Sequence, residues 1–287
     1  MAHASPVAAA MNWIPRFLRR IPRARCLLQV LPLVHGKAGL EVGGPSEVFR
    51  GGRGILPLYP AVGTLDNCNF ASRTVWQDAH VEGPTFQFDP GRPAGWQYLA
   101  EASDLGAIPS GRYDFLLSSH ALEHCANALK ALGEWLRVLK EGGVLVLLLP
   151  HREGTFDHRR PVTALEHFLA DARAGVGEDD RTHHDEIMAL HDLALDPGAG
   201  TPEQFRERSA RNVENRCFHH HVFDTGSALR LLDHVGVQIL AVETMAPFHI
   251  IAVARKLPPG HPPDNAPVLA TGASWRATSV FAGDRVG

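Results

Sequence analysis

Two hydrophobic periods alternate along this chain. Short apolar runs at 38–42, 61–65, 98–102, 114–118 and 144–149 end in polar or glycine-rich positions and read as strands buried in a parallel sheet. Between the last two, residues 126–139 carry Leu129, Leu132, Leu136 and Leu139 at helical spacing, and Gly142-Gly143 closes the segment. Strand, helix, glycine turn and strand in that order form one βαβ unit of a doubly wound α/β sheet. A long stretch follows from 151 to 216, with helices predicted at 164–174 and 185–193. The pattern resumes as a helix at 227–234 and strands at 237–242 and 249–254.

Composition narrows the reading. The 287 residues have a formal net charge of −3, which lacks the basic balance that nucleic-acid binding usually needs. Cys26, Cys68, Cys125 and Cys217 form no CxxC pair, so neither a disulfide framework nor a cysteine zinc site is suggested and a cytoplasmic location fits. Residues 1–35 interleave Ile14, Phe17, Leu18 and Ile21 with Arg16, Arg19, Arg20, Arg23 and Arg25. This reads as a surface arm, with peripheral contact to an anionic membrane as the alternative. Pro15 and Pro22 break any long helix there, and no apolar run approaches the roughly 20 residues of a membrane span. Residues 257–287 are rich in Pro, Gly and Ala without apolar periodicity, and a flexible tail is expected.

Gly39-Leu40-Glu41-Val42-Gly43-Gly44-Pro45-Ser46 is a strand ending in an acid and a glycine turn, where backbone can approach a ligand that a side chain would block. About seventy residues later come Tyr113-Asp114-Phe115-Leu116-Leu117-Ser118-Ser119-His120-Ala121-Leu122-Glu123-His124 and Arg137-Val138-Leu139-Lys140-Glu141-Gly142-Gly143. In order and spacing the pair resembles class I, Rossmann-like methyltransferases that use S-adenosylmethionine (SAM), and among them the bacterial type 11 group. The resemblance covers 36–150 and continues at 217–256. It implies a mostly parallel sheet closed by an antiparallel C-terminal strand, a SAM-binding core, a mainly helical cap at 151–216, and transferase activity.

What the resemblance implies for the cofactor is specific by residue. Gly43 and Gly44, with Pro45 and Ser46, would pass under the methionine part of SAM, with Glu41 as the first-motif acid. Asp66, next to Asn67, would accept hydrogen bonds from the ribose hydroxyls, Asp104 and Leu105 would lie at adenine, and Ser118, Ser119 and His120 would lie near the sulfonium. The residues alone also allow blander roles: a plain turn for Gly43-Gly44, a turn acid for Asp66, a helix cap for Asp104 and a loop-holding role for His124. The first motif departs from the usual acid-x-Gly-x-Gly-x-Gly, which leaves the loop path open, and it lacks the G-x-G-x-x-G of a dehydrogenase.

The cap segment is rich in histidine and acid. No pair in it reproduces HExxH or another strong ligand spacing, so no metal is expected; were one bound, the segment from Glu178 to Asp192 would be the place to look. Methyl transfer to a hydroxyl needs alignment and one proton acceptor, and histidine suits that role. His120, at a strand end, is the first candidate, followed by His151, His158 and His220. The expectation is O-methylation of a small-molecule or glycan-like intermediate. The alternatives are a SAM-binding scaffold without catalysis and an NAD-type oxidoreductase.

Overall fold

The computed structural model describes residues 23–76 and 79–286. The apolar and basic positions of the arm from Ile14 to Pro22 lie outside the described residues. Of its remaining arginines, Arg23 donates to the carbonyls of Gly52 and Gly54, and Arg25 pairs with Glu243.

Among the described residues one sheet organises the chain. Its strands are β1 (Ala38–Val42), β2 (Thr64–Asn69), β3 (Gly83–Phe86), β4 (Gly95–Leu99), β5 (Tyr113–Ser119), β6 (Leu139–Pro150), β7 (Gln238–Met245) and β8 (His249–Arg255), in the spatial order β3-β4-β2-β1-β5-β6-β8-β7. Strands β4, β2, β1, β5 and β6 run parallel, while β3, β8 and β7 are antiparallel to their neighbours. The strand order reverses at β1, so a crevice opens beyond the carboxyl ends of β1 and β5.

Alternation along β6 shows how the sheet is covered. Leu145, Leu147 and Leu149 face one core with Trp135 and Leu132 of α2 (Ala128–Val138) and Leu229 and Leu232 of α7 (Thr225–His234). Val144, Val146 and Leu148 face the other core with Val30, Leu31 and Val34 of α1 (Leu27–Val34). Between β6 and α7 the chain forms α3 (Leu165–Ala174), α4 (His184–Leu190), α5 (Pro202–Ala210) and α6 (Asn212–Asn215); this segment reaches the crevice through Arg208 of α5 and through loop residues such as Phe156, Glu178, Leu195 and Arg216.

Three expectations are corrected. The second strand does not stop at Asp66 but runs to Asn69, because Asn67 and Asn69 satisfy their amides inside the protein and so occupy buried strand positions that read as polar loop. The third strand likewise sits earlier, at 95–99 rather than 98–102, and β3 adds an edge that no period announced. The C-terminal segment is docked. It forms α8 (Ala266–Leu269), α9 (Ser274–Thr278) and α10 (Ala282–Arg285) and buries Ala273, Trp275 and Phe281. These anchors are isolated rather than periodic, and Glu153 adds hydrogen bonds from the amides of Ala282 and Gly283.

Candidate active site

The crevice is a cavity of about 1100 Å³. Its first end is shaped by the loop after β1. Gly43 has φ +86°, in the region glycine tolerates, and lines the cavity; a Cβ there would stand 3.2 Å from that of Ala121. The loop is braced from below. Asn67 accepts from the Gly44 amide at 3.0 Å and donates to the Gly44 carbonyl at 3.0 Å, while Asn69 donates to the same carbonyl. Glu41 is wholly buried, accepting from Ser46 N at 3.1 Å and the Tyr59 hydroxyl at 2.6 Å. Burial pushes its carboxyl up to about 7, against the pull of those two donors. Ser46, Asn69, Phe70, Glu101 and Ala102 complete this end at the tips of β1, β2 and β4.

The opposite end is built from titratable side chains. His120 follows β5 with φ +53°, a backbone conformation uncommon for a residue with a Cβ. Its Nε2 lies 3.0 Å from His249 Nδ1 and its Nδ1 3.6 Å from Glu123 Oε1, an ion-pair separation rather than a hydrogen bond. Burial, then the neighbouring His120, pushes His249 down to about 4, so the ring is neutral near pH 7. His124 is pushed to about 4 by burial and then by His219, and its Nδ1 sits 2.9 Å from the Phe218 carbonyl. His219 is held above its ordinary value because the Asp157 carboxylate on its Nδ1 outweighs burial. Asp157 is in turn fixed by the buried Arg160, which also binds Glu186 at 2.7 Å and the His219 carbonyl at 2.7 Å. Phe156, Leu195, Arg208 and Arg216 close the cavity from the cap side.

Residues 77–147 match the family model of a methyltransferase domain. The match spans β3 to β6, including the strand end that carries His120, within a sheet whose order reverses at β1. Over these residues the chain is similar to SAM-dependent methyltransferases, and its mostly parallel sheet has the class I-like arrangement. Solved structures similar to the chain include a SAM-dependent methyltransferase from Aquifex aeolicus, 12 % identical over 88 % of this chain and 100 % of that one with a TM-score of 0.45. Another, from Mesorhizobium loti, is 16 % identical over 80 % of this chain and 95 % of that one, also at 0.45. No curated protein matches the chain in sequence.

A methyltransferase needs room for SAM, and the first end of the cavity fits it: an open glycine at Gly43, with the acceptor groups of Asn69 and Glu101 at neighbouring strand tips. Gly43, Pro45, Ser46, Ser119 and His120 of the sequence-based set line the cavity. The others are placed elsewhere. Glu41, Gly44 and Asn67 form the layer beneath, and Ser118 is fully buried in the sheet. Asp66 lies lower on β2, where it accepts from Tyr113 at 2.7 Å, Arg112 at 3.1 Å and Trp96 N at 2.8 Å, because the strand continues past it. Asp104 and Leu105 fall beyond the cavity, the first exposed and the second in the core, because the β4 tip is at Glu101 and Ala102.

Three of the four histidines expected to act on the acceptor are also elsewhere. His151 stacks on Phe281 at 3.8 Å and faces Asp284, His158 pairs with Asp192 at 2.9 Å, and His220 packs on Asn212, pushed down to about 3 by burial and His183. Sequence reasoning missed Asn69, Glu101, Glu123, His219 and His249. The Leu-Glu-His run after His120 and the triple histidine at 219–221 were the available signals, but neither states which ring turns to the cavity.

Proposed function

We propose that this methyltransferase moves the methyl group of SAM to an oxygen of a small-molecule or glycan-like biosynthetic intermediate in the cytoplasm. The observation that carries this reading is His120. It stands in an uncommon backbone conformation at the strand tip on the cavity wall, with His249 on one ring nitrogen and Glu123 facing the other. SAM, when bound, supplies a methyl carbon activated by its sulfonium, so the protein's work is to align the acceptor and take its proton. His120 is placed to receive that proton, and His249 and Glu123 hold its ring and its charge. Gly43, Ser46, Asn69 and Glu101 would hold the donor.

The residues over the cavity support a small acceptor. Phe156, Leu195, Asp196, Arg208 and Arg216 roof the cavity, which suits a compact ligand better than a polymer, and the net charge of −3 gives nucleic acid no attraction. The polar roof favours an acceptor with several hydroxyl or anionic groups. Among the described residues no helix is long and apolar enough to cross a membrane. The four cysteines are free, which agrees with a reducing compartment.

The test is a screen of hydroxylated metabolites and glycosides with SAM carrying a labelled methyl group. Label in an acid- and base-stable ether of a small acceptor is the expected product. Label recovered only in protein, nucleic acid or an amine would contradict the reading.

A further inference from the structure

We propose that Glu123, His124 and His219 form a binding site for one divalent transition-metal cation on the cap-side wall of the cavity. The first reason is the state of Glu123. Its side chain is wholly buried, it lines the cavity, and neither carboxylate oxygen has a hydrogen-bond partner. A buried carboxylate without donors costs several kcal/mol, so a charge that belongs beside it is expected. The nearest groups are ring nitrogens, His120 Nδ1 at 3.6 Å and His124 Nε2 at 4.0 Å.

The second reason is the orientation of the two rings. His124 has Nδ1 on the Phe218 carbonyl, and His219 has Nδ1 on the Asp157 carboxylate. Each partner is an acceptor, so each Nδ1 carries a proton and Nε2 is the nitrogen left for a cation, which at His219 would displace the second proton that the Asp157 carboxylate favours. Carbonyl and carboxylate partners behind histidine ligands are how metal sites fix ring tautomer and raise donor strength. Asp157 is itself locked by Arg160, so the arrangement is supported two layers deep.

The third reason is spacing. One donor atom from each of the three residues lies within 4.8 Å of the others, and side-chain movements of up to about 1 Å would close them on a cation with bonds of about 2.0–2.2 Å. Two imidazoles and one carboxylate favour zinc, cobalt or iron over magnesium and calcium, which prefer all-oxygen sites. With three protein donors on a cavity wall, further positions stay open to a ligand. Resting on the methyltransferase reading, that ligand is the acceptor: a cation there would lower the pKa of its hydroxyl beside His120.

The site differs from the segment Glu178 to Asp192, which its content of histidine and acid alone would single out. A second group, His167 and Asp171 of the cap with His221 beyond it, has a buried unpaired oxygen on Asp171 and a buried unpaired Nδ1 on His221, and serves as the control. The full chain, stripped with chelator and dialysed, is titrated with cobalt(II) chloride alone while visible absorption is followed. SAM binding is measured separately by calorimetry on the same samples.

One equivalent of cobalt should bind with the intense bands of a four- or five-coordinate ion. Glu123→Gln and His219→Ala should weaken binding at least 10-fold, Asp157→Asn about 10- to 100-fold as an outer-layer partner, and Asp171→Asn should leave it unchanged. Should Glu123→Gln fail to fold, His124→Asn gives the same reading. Absence of saturable cobalt binding to the wild-type chain, or binding lost in Asp171→Asn and retained in Glu123→Gln, overturns the proposal. SAM binding retained in either case leaves the methyltransferase reading standing, and SAM binding absent while cobalt binds does the reverse.

Discussion

The two ends of the cavity are made of different materials. The end proposed for the donor is shaped by a backbone loop: a glycine at φ +86°, clamped through the amides of Asn67 and Asn69, with a buried Glu41 beneath it. The end proposed for the acceptor is built from ionisable side chains drawn from residues 120–124, 157–160, 219 and 249, which meet only in the folded chain. A backbone cradle offers the same donors and acceptors whatever the acceptor substrate, and so suits the part of the reaction that never changes. Side chains on a cap are replaceable one at a time, and suit the part that must be specific.

This division is tested most severely at His120. Replacement by alanine should lower turnover by roughly 100- to 10,000-fold, the usual range for a lost general base, while SAM affinity stays within about twofold. A parallel fall in SAM affinity would show that the two ends are not separable. Arg160 gives the next largest effect. Its removal strands Asp157 and Glu186 beside a fully buried site, and Arg160→Ala should cost about 3–5 kcal/mol in denaturant unfolding. A loss under about 1 kcal/mol would mean that the knot does not hold the cap.

The smallest expected effect concerns Asp196 on the roof. Burial would raise its pKa, but hydrogen bonds from His191 at 3.2 Å and Arg208 at 2.8 Å hold it down at about 2. A carboxylate depressed in the folded state stabilises above its unfolded pKa and loses that contribution as pH falls through the folded value. Between about pH 4 and pH 2 this amounts to about 1 kcal/mol after allowance for solvent screening. Asp196→Asn should remove that part of the acid slope, leaving the part due to Asp157, which is also held at about 2. An unchanged slope would show that Asp196 keeps an ordinary pKa.

What the sequence made legible follows the same division. The run Leu40 to Gly44, the helix with Leu132 and Trp135, and the apolar strand to Leu149 are set by local periodicity and a glycine turn, and they stand where the pattern placed them. Strand ends were misread where polar side chains are satisfied internally: Asn67 and Asn69 look like loop until their partner Gly44 is known, and the second strand was therefore ended three residues early, at Asp66, which the fold holds against Tyr113. The docked C-terminal segment was illegible because Trp275, on the helix packed against β7, and Phe281, stacked on His151, anchor it singly, with no repeat to announce them. The histidines were countable, but which of them face the cavity depends on partners such as Asp284, Asp192 and Asn212 that lie far away in sequence or in another element.

The central claim is that SAM rests on the loop after β1 and against the tips of β2 and β4, above Asp66 rather than on it. Calorimetric titration of SAM into the wild-type chain, Asp66→Ala and Gly43→Val tests this most directly. One-site binding is predicted for the wild type and for Asp66→Ala. None is predicted for folded Gly43→Val, whose branched side chain is strained at φ +86° and fills the cavity. Normal binding by Gly43→Val together with its loss in Asp66→Ala, or no binding by the wild type, would contradict the account.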